Sequence, residues 1–357
     1  MTTGPVVSVI IPAYGGAPWL PATLRSLQVQ TLTGWEAIVV DDCSPDDGAA
    51  IVAAWPDPRV RLIRMPANGG PVRARNHGLA HARGRYIAGL DQDDLCRPDR
   101  LARQVAYLER HPGIALLGTA VECLTGEAVT PSAYAPATTP GLIEWLLQIE
   151  NPLAWSSVMV CGEVARALDP FTRPELLYAE DFDLYGRVLP FGGVARLDRP
   201  LLLYRQHPGG ASKRFAETMC ASAARVLTER HAALGDGAAR AAALLVRHNM
   251  DGEPVPDRAT LVELGDLLGA LQAAFLRRHD LDAASRRLIR WETAQRWSRI
   301  GRAGLRAGTL TLADVLAVRP QHLGLGYAGA EALAMAGLVG GGRRAGRLLA
   351  RRGVSRA

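Results

Sequence analysis

The first half of the chain alternates short apolar runs with segments of helical spacing, and this alternation restricts the fold more than any other feature. Residues 6–11, 35–40 and 60–64 are apolar, β-branched runs, whereas 19–30 and 71–83 carry apolar residues at helical spacing. Buried strands connected by helices are typical of a mainly parallel sheet that is covered on both faces. We therefore predict an α/β fold with a mainly parallel sheet and helices on both faces.

Polar residues follow three of the predicted strands. Tyr14, Asp42 and Asp91 each come just after an apolar run. Sheets of this kind bind ligands outside the carboxyl ends of their strands. We therefore expect these three residues to contribute to one shared site.

The most acidic of these strand ends is the stretch from Asp91 to Asp94, which holds three carboxylates within four residues. Neighbouring carboxylates repel one another and resist burial, and a divalent cation relieves both costs. Carboxylate oxygens suit Mg²⁺ or Mn²⁺, which complete their shells with water and substrate phosphates. In an extended strand Asp91 and Asp93 point the same way. The stretch predicts a metal site, and a capped turn is the alternative.

Composition indicates a soluble globular protein of one large domain with an appendage, or of two domains. The chain has 357 residues, of which 48% are apolar and 21% are charged. Its five cysteines are scattered and form no Cys-x-x-Cys pair, which argues against a zinc site or a disulfide framework. We find no pattern of a signal peptide and no uninterrupted apolar run near the ~20 residues that span a bilayer. These features predict a cytoplasmic protein.

The C-terminal part has a different composition, rich in Ala, Leu and Arg at helical spacing. We predict an α/β domain at 1–214 and a helical region at 215–357. No acidic residue follows Glu331, and arginines cluster at positions 343, 344, 347, 351, 352 and 356. Such a basic tail could contact the anionic inner face of a membrane, and a solvated tail is the alternative. Nucleic-acid binding is not expected, because no aromatic residues are interleaved with the arginines.

Residues 6–210 resemble the family-2 glycosyltransferases, which have the Rossmann-like GT-A fold and use nucleotide-sugar donors. Six motifs in order, at plausible spacing, make this resemblance specific. They lie at 7–14, 30–44, 68–78, 90–101, 179–184 and 200–207. One departure is Gly15, where the family often has Asn.

The resemblance implies a nucleotide-binding part at about 1–118 and an acceptor part at about 119–214. In the first part, Pro12 and Tyr14 belong to the nucleotide loop, and Tyr14 would stack on the base. Asp42 would accept a hydrogen bond from uracil, and Arg75 would contact the diphosphate. The structural alternatives are a turn carboxylate for Asp42, core packing for Tyr14 and a surface charge for Arg75.

The resemblance also implies a metal and a general base. Mn²⁺ or Mg²⁺ would bind Asp91 and Asp93, and Asp91 could also contact the ribose. His207 could be a third ligand or could contact the diphosphate, and a structural role is the alternative. Asp181 would deprotonate the acceptor hydroxyl and give inversion at the anomeric carbon.

The expected function is transfer of a sugar, with UDP preferred as the nucleotide, to a glycan, lipid-linked or small-molecule acceptor. A non-catalytic module that binds nucleotide or polysaccharide on the same fold is the alternative. Nucleotidyl transfer is disfavoured, because no basic residue follows the first strand before Arg25.

Overall fold

The computed structural model describes residues 4–318 and 332–343. Its described part contains a nine-stranded sheet in the order β3-β2-β1-β4-β8-β6-β9-β5, with β7 paired to β6. The strands are β1 (Val7–Ala13), β2 (Trp35–Asp41), β3 (Val60–Arg64), β4 (Tyr86–Gly89), β5 (Leu95–Cys96), β6 (Ile114–Thr125), β7 (Ala128–Pro131), β8 (Met159–Cys161) and β9 (Gly193–Arg205).

The half of the sheet that holds β3, β2, β1 and β4 is parallel, as predicted. Every residue of β1 and β2 is buried, including Pro12, which lies opposite Val40. Strands that are buried on both faces are expected to be apolar throughout. Because all four strands run the same way, the loops after them meet at one edge of the sheet.

The other half makes the sheet mixed rather than parallel throughout. Strand β8 runs antiparallel to both β4 and β6, and β5 runs antiparallel to β9, whereas β6 and β9 are parallel. Strand β9 is continuous although Asp198, Arg199 and Pro200 interrupt its apolar pattern. The structure accommodates Pro200 at a register shift opposite Ala120.

Helices cover both faces of the sheet. Alternate residues of β1, such as Val9 and Ile11, share a core with Leu24 and Leu27 of α1 (Leu20–Gln28). On the other face α3 (Pro71–Ala80) approaches closely, since a Cβ on Gly78 would lie 2.7 Å from Ile10 Cγ2. The remaining helices are α2 (Gly48–Ala53), α4 (Arg100–Arg110), α5 (Pro140–Leu146), α6 (Gly162–Ala167), α7 (Glu180–Val188), α8 (Ala211–Arg214), α9 (Ala216–Arg230), α10 (Ala238–Leu244), α11 (Arg258–Arg278), α12 (Ala283–Ala307) and α13 (Leu312–Ala317).

The chain divides into two compact units. The sheet unit comprises Met1–Leu147 and Asn151–Ser222, and the helical unit comprises Gln148–Glu150 and Ala223–Ala357. The described part of the helical unit contains α10 to α13, a π-helical turn at Leu245–Met250 and a further helical stretch at 332–343. The prediction of a helical C-terminal region is therefore confirmed.

Two features of the helical unit bear on membranes. Helix α11 is long and apolar enough to cross a bilayer by length and composition, but Glu263 and Asp266 interrupt it. A third of its most apolar 18-residue segment is buried, and core helices of soluble proteins can be equally long and apolar. Of the predicted arginine tail, Arg343 lies in the helical stretch at 332–343, and the arginines from 344 to 356 lie outside the described residues.

Candidate active site

The loops after β1 and β4 are fastened to each other by the side chain of Gln92. The Tyr14 N–H donates to Gln92 Oε1 at 2.9 Å, and Gln92 Nε2 donates to the Tyr14 carbonyl at 3.0 Å. The Thr23 hydroxyl donates to the Gln92 carbonyl at 2.8 Å. A Cβ on Gly16 would lie 2.3 Å from Gln92 Oε1, so a larger residue here would displace the end of the Gln92 side chain. The Tyr14 side chain is 51% exposed and is available for stacking.

The carboxylate of Asp42 holds the loop that precedes α3. Its two oxygens accept hydrogen bonds from the N–H groups of Gly69 and Gly70, each at 2.7 Å. Asp42 is only 2% exposed, so a nucleotide base would have to share an oxygen that is already bonded. The neighbouring Asp41 accepts from the Ser44 N–H at 3.2 Å and is a second carboxylate at this strand end.

Arg75 joins the acidic loop to the beginning of α7. One terminal nitrogen donates to Glu180, and the other donates to Asp91 Oδ1 at 3.3 Å. Its guanidinium carbon lies 4.4 Å from the centroid of the Trp155 ring. Burial opposes the charge, but the carboxylates of Glu180, Asp91 and Asp181 raise the pKa of Arg75 overall. The structure therefore places Arg75 as a buried bridge between carboxylates rather than as a surface charge.

The end of β9 is fastened to the acidic loop. His207 Nε2 lies 2.9 Å from Asp93 Oδ2. Arg205 donates through Nε to the Asp93 carbonyl and through its backbone N–H to Asp94 Oδ1, both at 2.8 Å. Burial and the charge of Asp91 raise the pKa of Asp93, and His207 partly opposes this rise. The structure thus brings together two of the three predicted metal ligands, which are 114 positions apart in the sequence.

The side chains of Asp91, Asp93 and His207 could supply part of the ligand shell of a divalent cation that also binds a diphosphate. Among residues 4–318 and 332–343, no three His, Cys, Asp or Glu side chains converge as a complete metal site. Asp93 and His207 are in contact, and the Asp91 side chain, two residues away, is 32% exposed. Mg²⁺ usually takes one or two carboxylates and fills its remaining positions with water and substrate phosphates. An incomplete protein shell is therefore what such an ion needs.

Asp181 lies in the first turn of α7 and accepts two hydrogen bonds. Asn151 Nδ2 donates to Asp181 Oδ2 at 3.1 Å, and the Phe182 N–H donates to Asp181 Oδ1 at 2.7 Å. Burial and the neighbouring Glu180 charge raise the pKa of Asp181 to about 7, against the opposing effects of Arg75 and Asn151. A pKa near neutrality suits a general base, because the group is ionised yet still basic at physiological pH.

Several residues that support the site were not predicted. Ser156 Oγ accepts a hydrogen bond from the Asp91 N–H at 2.9 Å. The Trp155 ring fills the space above Gly89, where a Cβ would lie 2.6 Å from it. Gln92 could have been found from its place between Asp91 and Asp93, whereas no sequence pattern marks Asn151 or Ser156.

The glycosyl transferase family 2 model matches residues 8–158. The chain is 50% identical over 101 residues to the succinoglycan biosynthesis protein ExoO of Rhizobium meliloti (strain 1021), which covers 28% of this chain and 29% of that protein. It is 32% identical over 197 residues to the putative glycosyltransferase EpsE of Bacillus subtilis (strain 168), covering 54% of this chain and 69% of the relative. It is 30% identical over 193 residues to the UDP-Glc:alpha-D-GlcNAc-diphosphoundecaprenol beta-1,3-glucosyltransferase WfgD of Escherichia coli, covering 54% and 73%.

Solved structures share the fold. A crystal structure of S. aureus TarS 1–349 in complex with UDP has a TM-score of 0.53 and 19% identity, covering 95% of this chain and 91% of that one. The mannosyltransferase PcManGT from Pyrobaculum calidifontis, in complex with GDP-Man and Mn²⁺, has a TM-score of 0.51 and 22% identity, covering 80% and 79%. At such identities the likeness shows the fold alone.

The relatives limit what can be carried over to this chain. The aligned region spans 29% of ExoO and 54% of the putative teichuronic acid biosynthesis glycosyltransferase TuaG, so the chain matches only part of some relatives. It nevertheless spans more than two thirds of EpsE and WfgD at 30% identity or more. Together with the matching family model and the shared fold, this shows that the chain belongs to glycosyl transferase family 2.

Proposed function

We propose that the protein is a metal-dependent, inverting glycosyltransferase that moves a sugar from a nucleotide donor to an acceptor hydroxyl. The observation that carries this proposal is the continuous contact from the acidic loop to the candidate base. Asp91 contacts Arg75, Arg75 contacts Glu180, and Glu180 is followed by Asp181, whose pKa is about 7. The candidate metal ligand Asp91 and the residue before the candidate base thus contact the same buried arginine, which supports the proposal.

The nucleotide side of the site would consist of Tyr14, Asp42 and the backbone around Pro12, within the part at about 1–118. UDP is the proposed nucleotide, because the name of the WfgD relative specifies UDP-Glc as its donor. Asp91, Asp93 and His207 would hold Mn²⁺ or Mg²⁺, which would neutralise the negative charge that develops on the departing diphosphate.

The acceptor side would lie in the part at about 119–214, around Asp181. The acceptor oxygen forms its bond to the anomeric carbon while the bond to the diphosphate oxygen breaks, and the hydroxyl proton passes to Asp181. Because the base and the leaving group are on opposite faces of the sugar, this displacement inverts the anomeric configuration. Through their contacts, Arg75 and Glu180 would fix the position of Asp181 relative to Asp91.

The acceptor is proposed to be lipid-linked, since the name of the WfgD relative specifies a diphosphoundecaprenol acceptor. Such an acceptor requires contact with a membrane, which we assign to the inner face. Met335, Leu338 and Val339 are exposed on the helical stretch at 332–343. An arginine-rich sequence follows them, and this combination suits an anionic lipid surface.

A donor screen tests the proposal. UDP-, GDP- and dTDP-sugars are incubated with the protein, with Mn²⁺, Mg²⁺ or EDTA, and released nucleoside diphosphate is measured. Asp181→Asn should bind UDP as the wild type does but lose ~10²–10⁴-fold in turnover, the usual contribution of a general base. The exposed Asp236→Asn is the matched control and should retain full turnover.

Two results would contradict the proposal. Unchanged transfer by Asp181→Asn would remove Asp181 as the base. Tight UDP binding without turnover of any donor would favour the alternative, a non-catalytic binding module.

A further inference from the structure

Gln148–Glu150 belongs to the helical unit, although the chain before it and after it belongs to the sheet unit. The next residue, Asn151, is the one that donates a hydrogen bond to Asp181. The peptide bond between Glu150 and Asn151 therefore joins Gln148–Glu150 directly to the hydrogen-bond partner of the candidate base.

Each of the three residues is held separately, the first two through their backbone carbonyls. His231 Nε2 donates to the Gln148 carbonyl at 2.7 Å, and Asn249 Nδ2 donates to the Ile149 carbonyl at 3.2 Å. Burial lowers the pKa of His231, which keeps its ring neutral and suited to a single donated bond. Asn249 is fully buried in the π-helical turn at Leu245–Met250, so its position is fixed by packing.

Glu150 is held by ion pairs. Arg296 of α12 donates to Glu150 through one terminal nitrogen and to Glu292 through the other, and Arg299 lies 3.8 Å from Glu150. Burial opposes the charge of Arg296, but Glu150 and Glu292 raise its pKa overall. Breaking a buried ion pair leaves an uncompensated charge, so this arrangement is strongly specified.

Two hydrogen bonds fix which atom of the Asn151 side-chain amide faces Asp181. Its Oδ1 accepts the Leu153 N–H at 3.3 Å, which leaves Nδ2 to donate to Asp181 Oδ2 at 3.1 Å. A shift of the backbone at 148–150 would move Asn151 and lengthen this bond. The other charged groups that act on Asp181 are Glu180 and Arg75.

We propose that the helical unit positions the general base of the sheet unit by holding Gln148–Glu150, with Arg296 and Glu150 as positioning residues that act through Asn151. This inference rests on the proposed function of Asp181. It gives the helical unit a part in turnover that does not require contact with either substrate.

A double-mutant cycle tests the coupling. Arg296→Met removes the ion pair with Glu150, and Asn151→Ala removes the hydrogen bond to Asp181. Arg240→Met is the matched control, because it breaks an exposed ion pair with Glu263 in the same unit. The pH dependence of kcat is measured for each variant, together with the Kd for UDP.

Below neutral pH, kcat should fall as Asp181 becomes protonated, and we call this part of the pH profile the acid limb. We expect Arg296→Met to move the acid limb to higher pH, so that kcat at pH 6 falls ~3–10-fold while the Kd for UDP is unchanged. The same substitution in the Asn151→Ala background should move the limb no further, because both changes act on one bond. A purely structural role would give additive effects, and a limb that stays in place in Arg296→Met would overturn the proposal.

Hydrogen exchange gives a readout that does not depend on activity. Peptides that cover 148–154 and 179–184 should exchange faster in Arg296→Met than in the wild type or Arg240→Met. Equal exchange in all three proteins would overturn the positioning role, whatever the activity. If Arg296→Met does not fold, Glu150→Gln replaces it with the same expected results. An inactive wild type that still shows this coupled exchange would contradict the proposed function alone.

Discussion

At the scale of single residues, the proposed chemistry depends on how the environment of one carboxylate, Asp181, changes its protonation. Asp181 is partly buried beside Glu180, and both effects favour its neutral form. Asn151 and Arg75 favour the charged form, so the pKa settles at about 7. The group is therefore about half ionised near neutrality, and both activity and stability should depend on pH in this range.

The first residue-scale prediction concerns activity. Because the base must be ionised, kcat/KM should rise with pH through about 7. Asn151→Ala removes a bond that stabilises the ionised form, so its acid limb should lie at higher pH. Initial rates from pH 5.5 to 9 at saturating metal measure the position of the acid limb in both proteins. An acid limb at lower pH in Asn151→Ala than in the wild type would contradict the prediction.

The second residue-scale prediction concerns the stability of the folded protein. The folded protein raises the pKa of Asp181 from 3.8 to about 7, so this group stabilises the fold at low pH and loses that contribution as pH rises through 7. Asp181→Asn removes the buried charge and should stabilise the protein by ~1–3 kcal/mol at pH 8, but not at pH 4. Urea unfolding at both pH values checks this, and equal effects at the two would show that the charge is not responsible.

At the scale of elements, the site is shaped by loops that fasten one strand end to another. Gln92 connects the loop after β1 to the loop after β4, and Arg205 connects the end of β9 to the same acidic loop. These contacts hold the predicted nucleotide and metal residues together without using the carboxylates of Asp91 or Asp93.

Gly16→Ala tests this loop contact. The added methyl would lie 2.3 Å from Gln92 Oε1, so the Gln92 side chain must move and its bonds to Tyr14 must break. We expect UDP to bind ~3–10-fold more weakly, because two hydrogen bonds that order the loop are lost. Gly113→Ala is the control, since no atom lies within 4 Å of its added methyl. Calorimetric titration with UDP measures the difference, and equal affinities would argue against the role of Gln92.

At the scale of the whole molecule, the proposed membrane contact follows from exposed apolar residues and a basic sequence in the same region. Met335 is 60% exposed and Leu338 is 70% exposed on the helical stretch at 332–343. Six arginines lie between 343 and 356, with no acidic residue among them. Apolar insertion and attraction to anionic lipid would act together there.

Vesicle sedimentation tests this contact. The wild type should bind vesicles that contain phosphatidylglycerol more tightly than neutral vesicles, and salt should weaken the binding. Replacing Met335 and Leu338 by Asp should reduce binding at least ~10-fold, through lost apolar burial and added repulsion. Val129→Asp, at a 45% exposed position of β7, is the control. Equal sedimentation of both variants and the wild type would exclude this surface.

The sequence predicted the fold class well where the pattern was long and regular. The strands that became β1 to β4 were recognised because they are apolar runs separated by helical segments. Strand β5 was missed because two residues, Leu95 and Cys96, carry no periodicity. The full length of β9 cannot be read from the sequence, because Asp198, Arg199 and Pro200 interrupt its apolar pattern and Pro200 lies at a register shift against β6.

What the sequence determined by itself is the parallel half-sheet, the polar edge after its strands and the choice of Asp91 and Asp93 as candidates, whereas Asp181 was chosen through the family resemblance. Local periodicity and strand ends carry that information, because they depend only on neighbouring residues. The tertiary structure decided which side chains meet around the site: Gln92 bonds to the Tyr14 backbone, Arg75 bridges Asp91 and Glu180, and Asn151 donates to Asp181. These contacts join residues up to about a hundred positions apart, so the packing of the whole chain sets them, and no local pattern can encode them.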